Sequence, residues 1–96
     1  MRPSEALALH REEVLAILAK YPVSNPRIFG SVAREEDKEG SDIDMVVDAN
    51  AVLSYFELAK FEIELSQAIG CKVDLGIFKN LKPDVMTQVV RDMRPL

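Results

Sequence analysis

Ser41-Asp42-Ile43-Asp44-Met45-Val46-Val47-Asp48, residues 41–48, alternate in a way that decides the architecture. In an extended chain Ile43, Met45 and Val47 fall on one face and Asp42, Asp44, Val46 and Asp48 on the other, so this is a strand with an apolar face and an acid-bearing face. A second alternating run lies at Lys72-Val73-Asp74-Leu75-Gly76-Ile77-Phe78. There Val73, Leu75 and Ile77 point one way and leave Asp74 on the opposite face. Upstream, Arg27-Ile28-Phe29 is a short apolar run that follows a breaker segment, Pro22 to Pro26, and ends at Gly30. It reads as a strand meeting a tight turn.

Helical periodicity fills the intervals. From Ser4 to Lys20, Leu7, Val14, Leu15 and Leu18 recur at helical spacing behind the start signals Pro3 and Ser4, which predicts one amphipathic helix. Val32 to about Asp37 forms a short helix opening from Gly30-Ser31. The stretch Glu35 to Ser41 is a charged loop. Asn50 opens a long helix whose buried stripe is Leu58, Phe61, Leu65, Ala68 and Ile69, with Gly70 as its stop. Lys82-Pro83 starts a last helix carrying Val85, Met86, Val89 and Val90, with Arg91 and Arg94 near its C-terminal end. The order is αβαβαβα without repeats or linkers, so the expected fold class is α/β in a single domain spanning residues 1–96.

The whole composition narrows the function classes. Of 96 residues 48% are apolar and 29% charged, the balance of a packed soluble domain. Twelve Lys and Arg against sixteen Asp and Glu leave a net charge of −4, so the footprint of a non-specific nucleic-acid binder is missing and bare DNA or RNA is not the expected partner. Nothing approaches the roughly 18 apolar residues of a membrane span, and nothing resembles a signal peptide. The single cysteine, Cys71, forms no internal disulfide; a cytoplasmic setting is expected, with Cys71 a small buried hydrophobe. A chain this short has room for a catalytic centre but not for a second substrate-binding domain, so a large substrate must be held by another molecule.

Chemistry concentrates at a few positions. Asp42-x-Asp44 sets two carboxylates side by side on one strand face, suited to a hard divalent cation such as Mg²⁺; alone, it is a weak signal, and the default reading is the solvent face of an acidic strand. Asp74 interrupts a core-like run on the corresponding face of a second strand, where an acid must be solvated, paired or metal-bound. Gly30-Ser31 stands ten residues before Asp42 at a strand-to-helix junction. A Gly that admits close backbone approach, a Ser hydroxyl and free helix amides make a seat for phosphate. Taken singly, the dipeptide is also a plain turn with Ser as N-cap. Together the seat and the acids are what nucleoside triphosphate chemistry needs.

Phe29-Gly30-Ser31-Val32-Ala33-Arg34, then Gly40-Ser41-Asp42-Ile43-Asp44-Met45-Val46-Val47, then Val73-Asp74-Leu75, resembles the polymerase-β-like nucleotidyltransferases: G-S, ten residues, D-x-D, and a later strand Asp. Within that superfamily the chain resembles a minimal nucleotidyltransferase (MNT) domain, the antitoxin partner of HEPN-domain toxins. The resemblance covers most of the chain, including the leading helix and the Leu81-Lys82-Pro83 helix start. It implies a mixed β-sheet flanked by helices. It also implies that Asp42 and Asp44 bind two Mg²⁺ ions, that Asp74 binds one of them and helps activate the acceptor hydroxyl, and that Gly30 and Ser31 contact the β- and γ-phosphates while Arg34 steadies the triphosphate. The implied reaction is transfer of AMP from ATP to a hydroxyl, typically a tyrosine, of the HEPN toxin, within a hetero-oligomer.

Departures from the pattern are Val32, often basic in the family, and the acidic loop Glu35-Glu36-Asp37, which either weakens activity or points outward into solvent. Arg34 has a second role open to it as an ion-pair partner of Asp37 or of the neighbours of Lys38. An antitoxin that neutralises a HEPN toxin by contact alone is the alternative function. A small-molecule nucleotidyltransferase of the aminoglycoside-modifying kind matches only over its first domain. The remaining candidates have plainer expectations: His10 as a surface residue, Asp48 as part of a strand-end turn, Tyr55, Phe56 and Phe61 as core and interface residues, and Leu53, Tyr55 and Leu58 as helical packing or partner surface.

Overall fold

A computed structural model describes residues 1–96. The elements in order are α1 (Pro3–Leu9), α2 (Arg11–Leu18), β1 (Val23–Phe29), α3 (Gly30–Ala33), β2 (Ile43–Ala49), α4 (Tyr55–Ile69), β3 (Val73–Ile77), a 3₁₀ turn (Phe78–Asn80), α5 (Pro83–Asp92) and β4 (Arg94–Pro95). They form an α/β fold around a mixed four-stranded sheet of order β3-β2-β1-β4. β1 runs antiparallel to β2 and β4, and β2 runs parallel to β3 through the α4 crossover.

Strand alternation does what the sequence pattern requires. Ile43, Met45 and Val47 of β2, with Val73 and Ile77 of β3, face a core closed by Leu7 of α1, Val14 and Leu18 of α2, and Phe61, Leu65 and Ile69 of α4. Tyr21 stacks on Phe61 with ring centroids 4.1 Å apart, and Glu64 accepts its hydroxyl. Val46 is buried on the opposite sheet face, as is Val89 of α5 outside the main cluster. α4 begins at a capping box in which Ser54 Oγ accepts from the Glu57 N–H and Glu57 reaches back to the Ser54 N–H, and it ends at Gly70 in the left-handed conformation. No helix is long and apolar enough to cross a membrane.

Several expected boundaries move, each for a tertiary reason. The single helix over Ser4–Lys20 is broken at His10, whose φ of −105° and ψ of 19° leave the helical region. The kink turns Ala6 and Leu7 as well as Val14 and Leu18 onto the twisted sheet, while Leu15, expected in the stripe, is exposed. β1 starts at Val23 rather than after Pro26, because a register shift between Ser24 and Arg27 forms a bulge that takes up Pro26 and the positive φ of Asn25. α3 ends at Ala33, short of Asp37, and α4 starts at Tyr55, not at Asn50. Tyr55 and Phe56, expected partly in the core, are 85% and 86% exposed. In α5 only Val89 of the predicted stripe is fully buried, because this helix covers the sheet along one line. β4 has no periodic signal at all; it is two residues paired with Arg27 and Ile28 at the sheet edge, where Pro95 is tolerated.

Candidate active site

Register brings the acids together. Asp44 of β2 is the cross-strand partner of Asp74 of β3 and of Phe29 at the end of β1, so both carboxylates rise from the same sheet face beside the β1–α3 turn. Asp42 lies just before β2. Burial pushes the Asp44 carboxyl above its ordinary value of 3.8, the negative charges of Asp74 and Asp42 push it further the same way, and only the Arg34 guanidinium opposes them. The three acids therefore share one electrostatic field, in which at Asp44 their mutual repulsion and burial outweigh the nearby positive charge.

Gly30 completes the local geometry. It carries a φ of +73°, and a Cβ placed there would lie 2.3 Å from Asp44 Oδ2. Only glycine lets the backbone turn against that carboxylate and still begin α3. Ser31 is half-buried inside α3; the N-cap position belongs to Phe29 and makes no side-chain cap bond. Ser31 is thus not the helix cap that a plain turn would make of it.

Arg34 finds different ion-pair partners from those the sequence suggests. Its Nη1 donates to Asp92 Oδ2 of α5 at 2.7 Å and its Nε to Glu36 at 3.4 Å, and the bond to Asp92 is the main reason its pKa is raised further. Asp92 is only 13% exposed in its side chain. In the acidic loop Glu35 and Glu36 point outward, but Asp37 turns inward and is buried, with Oδ2 accepting the Ser4 N–H at 2.8 Å. The loop is therefore less acidic toward solvent than its sequence suggests.

Two charged neighbours of these residues lie outside the expected set. The Lys72 ammonium stands 3.9 Å from Asp42 Oδ2 and 3.6 Å from Asp74 Oδ1. Its signal was present, since Lys72-x-Asp74 puts both on one face at period two. Asp92, by contrast, lies 58 residues beyond Arg34, and no local pattern connects them.

Asp48 is not simply a turn residue. The buried Arg27 donates to it through both Nη1 and Nη2, Asn25 adds a bond, and these hold its carboxyl below the ordinary range. The Arg27 guanidinium also lies 5.0 Å from the Phe78 ring centroid. His10 is half-buried beside Glu13, and Cys71 is half-buried against the core.

Three carboxylates are the oxygen donors a hard cation takes, while the Lys72 ammonium, which cannot ligate a metal, stands between Asp42 and Asp74. The acids do not close around one point in this arrangement.

Residues 12–96 match the family described as polymerase beta, nucleotidyltransferase. The protein adenylyltransferase MntA of Thermococcus cleftensis is 31% identical over 87 residues, which cover 91% of this chain and 85% of that protein. A solved structure described as a candidate minimal nucleotidyltransferase superposes with a TM-score of 0.82 at 34% identity, over 97% of this chain and 95% of that one. A tri-AMPylated HEPN toxin of Shewanella oneidensis in complex with its MNT antitoxin also contains the fold, with a TM-score of 0.72 at 21% identity over 92% of this chain and 69% of that one. Matched over most of its length and carrying the paired acids beside a glycine turn, the chain belongs to the polymerase beta nucleotidyltransferase family and is a nucleotidyltransferase.

Proposed function

We propose that the chain transfers AMP from ATP, with Mg²⁺, to a hydroxyl of a HEPN-domain toxin, a tyrosine being the expected acceptor, and so acts as the antitoxin of the pair. The observation that carries this is the convergence of Asp42, Asp44 and Asp74 beside the Gly30–Ser31 turn. Kinship with a protein adenylyltransferase and likeness to the MNT–HEPN complex support the substrate and partner.

Asp42 and Asp44 would hold two Mg²⁺ ions and Asp74 one of them. When bound, the metal supplies Lewis-acid stabilisation of charge on the phosphoryl oxygens. The β- and γ-phosphates would lie against the Gly30 and Ser31 amides at the opening of α3. Arg34 meets the remaining phosphate charge. As the acceptor oxygen bonds to the α-phosphorus, Asp74 draws off its proton, the bond from that phosphorus to the bridging oxygen breaks, and pyrophosphate departs. The partner protein would bring its own hydroxyl to the acids, so that proximity does much of the work.

The test is incubation with Mg²⁺, ATP and a HEPN-domain protein encoded beside this chain. Mass gains in AMP units on the partner are expected, with Asp74→Asn retaining partner binding and losing transfer. If the partner is silenced equally by wild type and Asp74→Asn without a mass gain, the chain is a contact-only antitoxin.

A further inference from the structure

Lys72 immediately precedes β3, and its side chain is 67% exposed, so nothing in the packing forces it toward the acids. It nevertheless places its ammonium within 4 Å of two of them, Asp42 Oδ2 at 3.9 Å and Asp74 Oδ1 at 3.6 Å, and makes no other ion pair. Those two acids come from different segments, one leading into β2 and the other within β3. A cation that bridges them offsets their mutual repulsion and that with Asp44. It also stands between two of the carboxylates that a divalent ion would need. From this geometry we propose that Lys72 is a tethered counter-ion: it holds Asp42 and Asp74 in place while the site is empty, and a divalent cation must displace it to bind. This rests on the metal-dependent function proposed above.

The consequence is competition. Removing the ammonium leaves the acids less stable together without metal but more receptive to it. The ion pairs are exposed, so the gain is limited to roughly a factor of ten or less. It should shrink at high ionic strength, because exposed pairs are screened.

Calorimetric titration of Mg²⁺ into the nucleotide-free chain tests this, together with thermal unfolding with and without MgCl₂. Lys72→Met should bind Mg²⁺ about three- to tenfold more tightly than wild type, and its unfolding temperature should rise more on adding Mg²⁺. Lys72→Arg should stay close to wild type. Lys79→Met, which removes an exposed lysine that makes no ion pair, is the control for net charge. Equal or weaker binding by Lys72→Met, or an equal gain in Lys79→Met, would overturn the counter-ion role. Binding to none of these proteins, including wild type, would instead remove the metal site on which the role depends.

Discussion

Gly30 and Asp44 are in contact so close that position 30 has no room for a side chain: a Cβ there would sit 2.3 Å from Asp44 Oδ2 and 3.3 Å from its Cγ. The turn that opens α3 and the carboxylate at the start of β2 are one unit, built from residues fourteen apart in the chain. Gly30→Ala should therefore act twice. The positive φ should cost about 1–2 kcal/mol of stability. The displaced carboxylate should lower AMP transfer by at least about tenfold, because a misplacement of the order of an ångström is enough for that. Chemical denaturation beside a transfer assay separates the two effects, and unchanged transfer in a folded Gly30→Ala protein would show that the apposition is not functional.

Joint replacement of Asp42 and Asp44 by Asn should abolish Mg²⁺ binding and transfer yet leave the fold intact or more stable. The Asp44 pKa is raised in the folded state, so folding favours its protonated form, and the stability linked to that proton is lost as pH rises through the folded value. At neutral pH the ionised acid is thus a burden that Asn removes. The difference from wild type should narrow as pH falls to the ordinary carboxylate value near 3.8 and below. Denaturation midpoints across that range are the check, and a double mutant that unfolds at pH 7 would assign these acids a structural role.

Asp37 should behave in the opposite sense. Burial, the largest single influence, would raise its pKa, but the hydrogen bonds from Ser4, its own backbone N–H and the Arg2 charge together outweigh it and hold the carboxyl below its ordinary value. A depressed acid contributes stability above the unfolded pKa and loses it as pH falls through the folded one. Asp37→Ala should cost on the order of 1 kcal/mol at pH 7, with the loss fading below about pH 4. Because Asp37 ties the loop after α3 to the start of α1, protection of the Ser4 amide from hydrogen exchange should fall with it.

Arg34 and Asp92 should act as a pair. Asp92→Asn removes the charge of the nearly buried carboxylate to which Arg34 Nη1 donates at 2.7 Å and leaves the guanidinium with Glu36 as its only anionic partner. The KM for ATP should rise roughly three- to tenfold, with a smaller change in kcat. In an Arg34→Ala background the same substitution should add little, since contacting residues are not additive. Full additivity in that double-mutant cycle would show that Asp92 does not act through Arg34.

Much of the candidate site's placement is legible in the sequence because strand periodicity is a local property. The alternation over 41–48 and 72–78 assigns Ile43, Met45, Val47 and Val73 to the core and puts Asp42, Asp44 and Asp74 on the other face, and the glycine turn at Gly30 is readable from the short apolar run that ends there. What no local pattern encodes is which separate segments meet. Only the sheet register sets Asp44 against Asp74 and against Gly30. Only the return of α5 brings Asp92 to Arg34, and only the packing of the loop on α1 turns Asp37 inward while Glu35 and Glu36 stay in solvent. The kink at His10, the bulge that admits Pro26 into β1, the two-residue β4 and the exposure of Tyr55 and Phe56 belong to the same class. Each depends on the shape of a surface assembled from distant parts of the chain, where packing outweighs the modest preferences of individual residues.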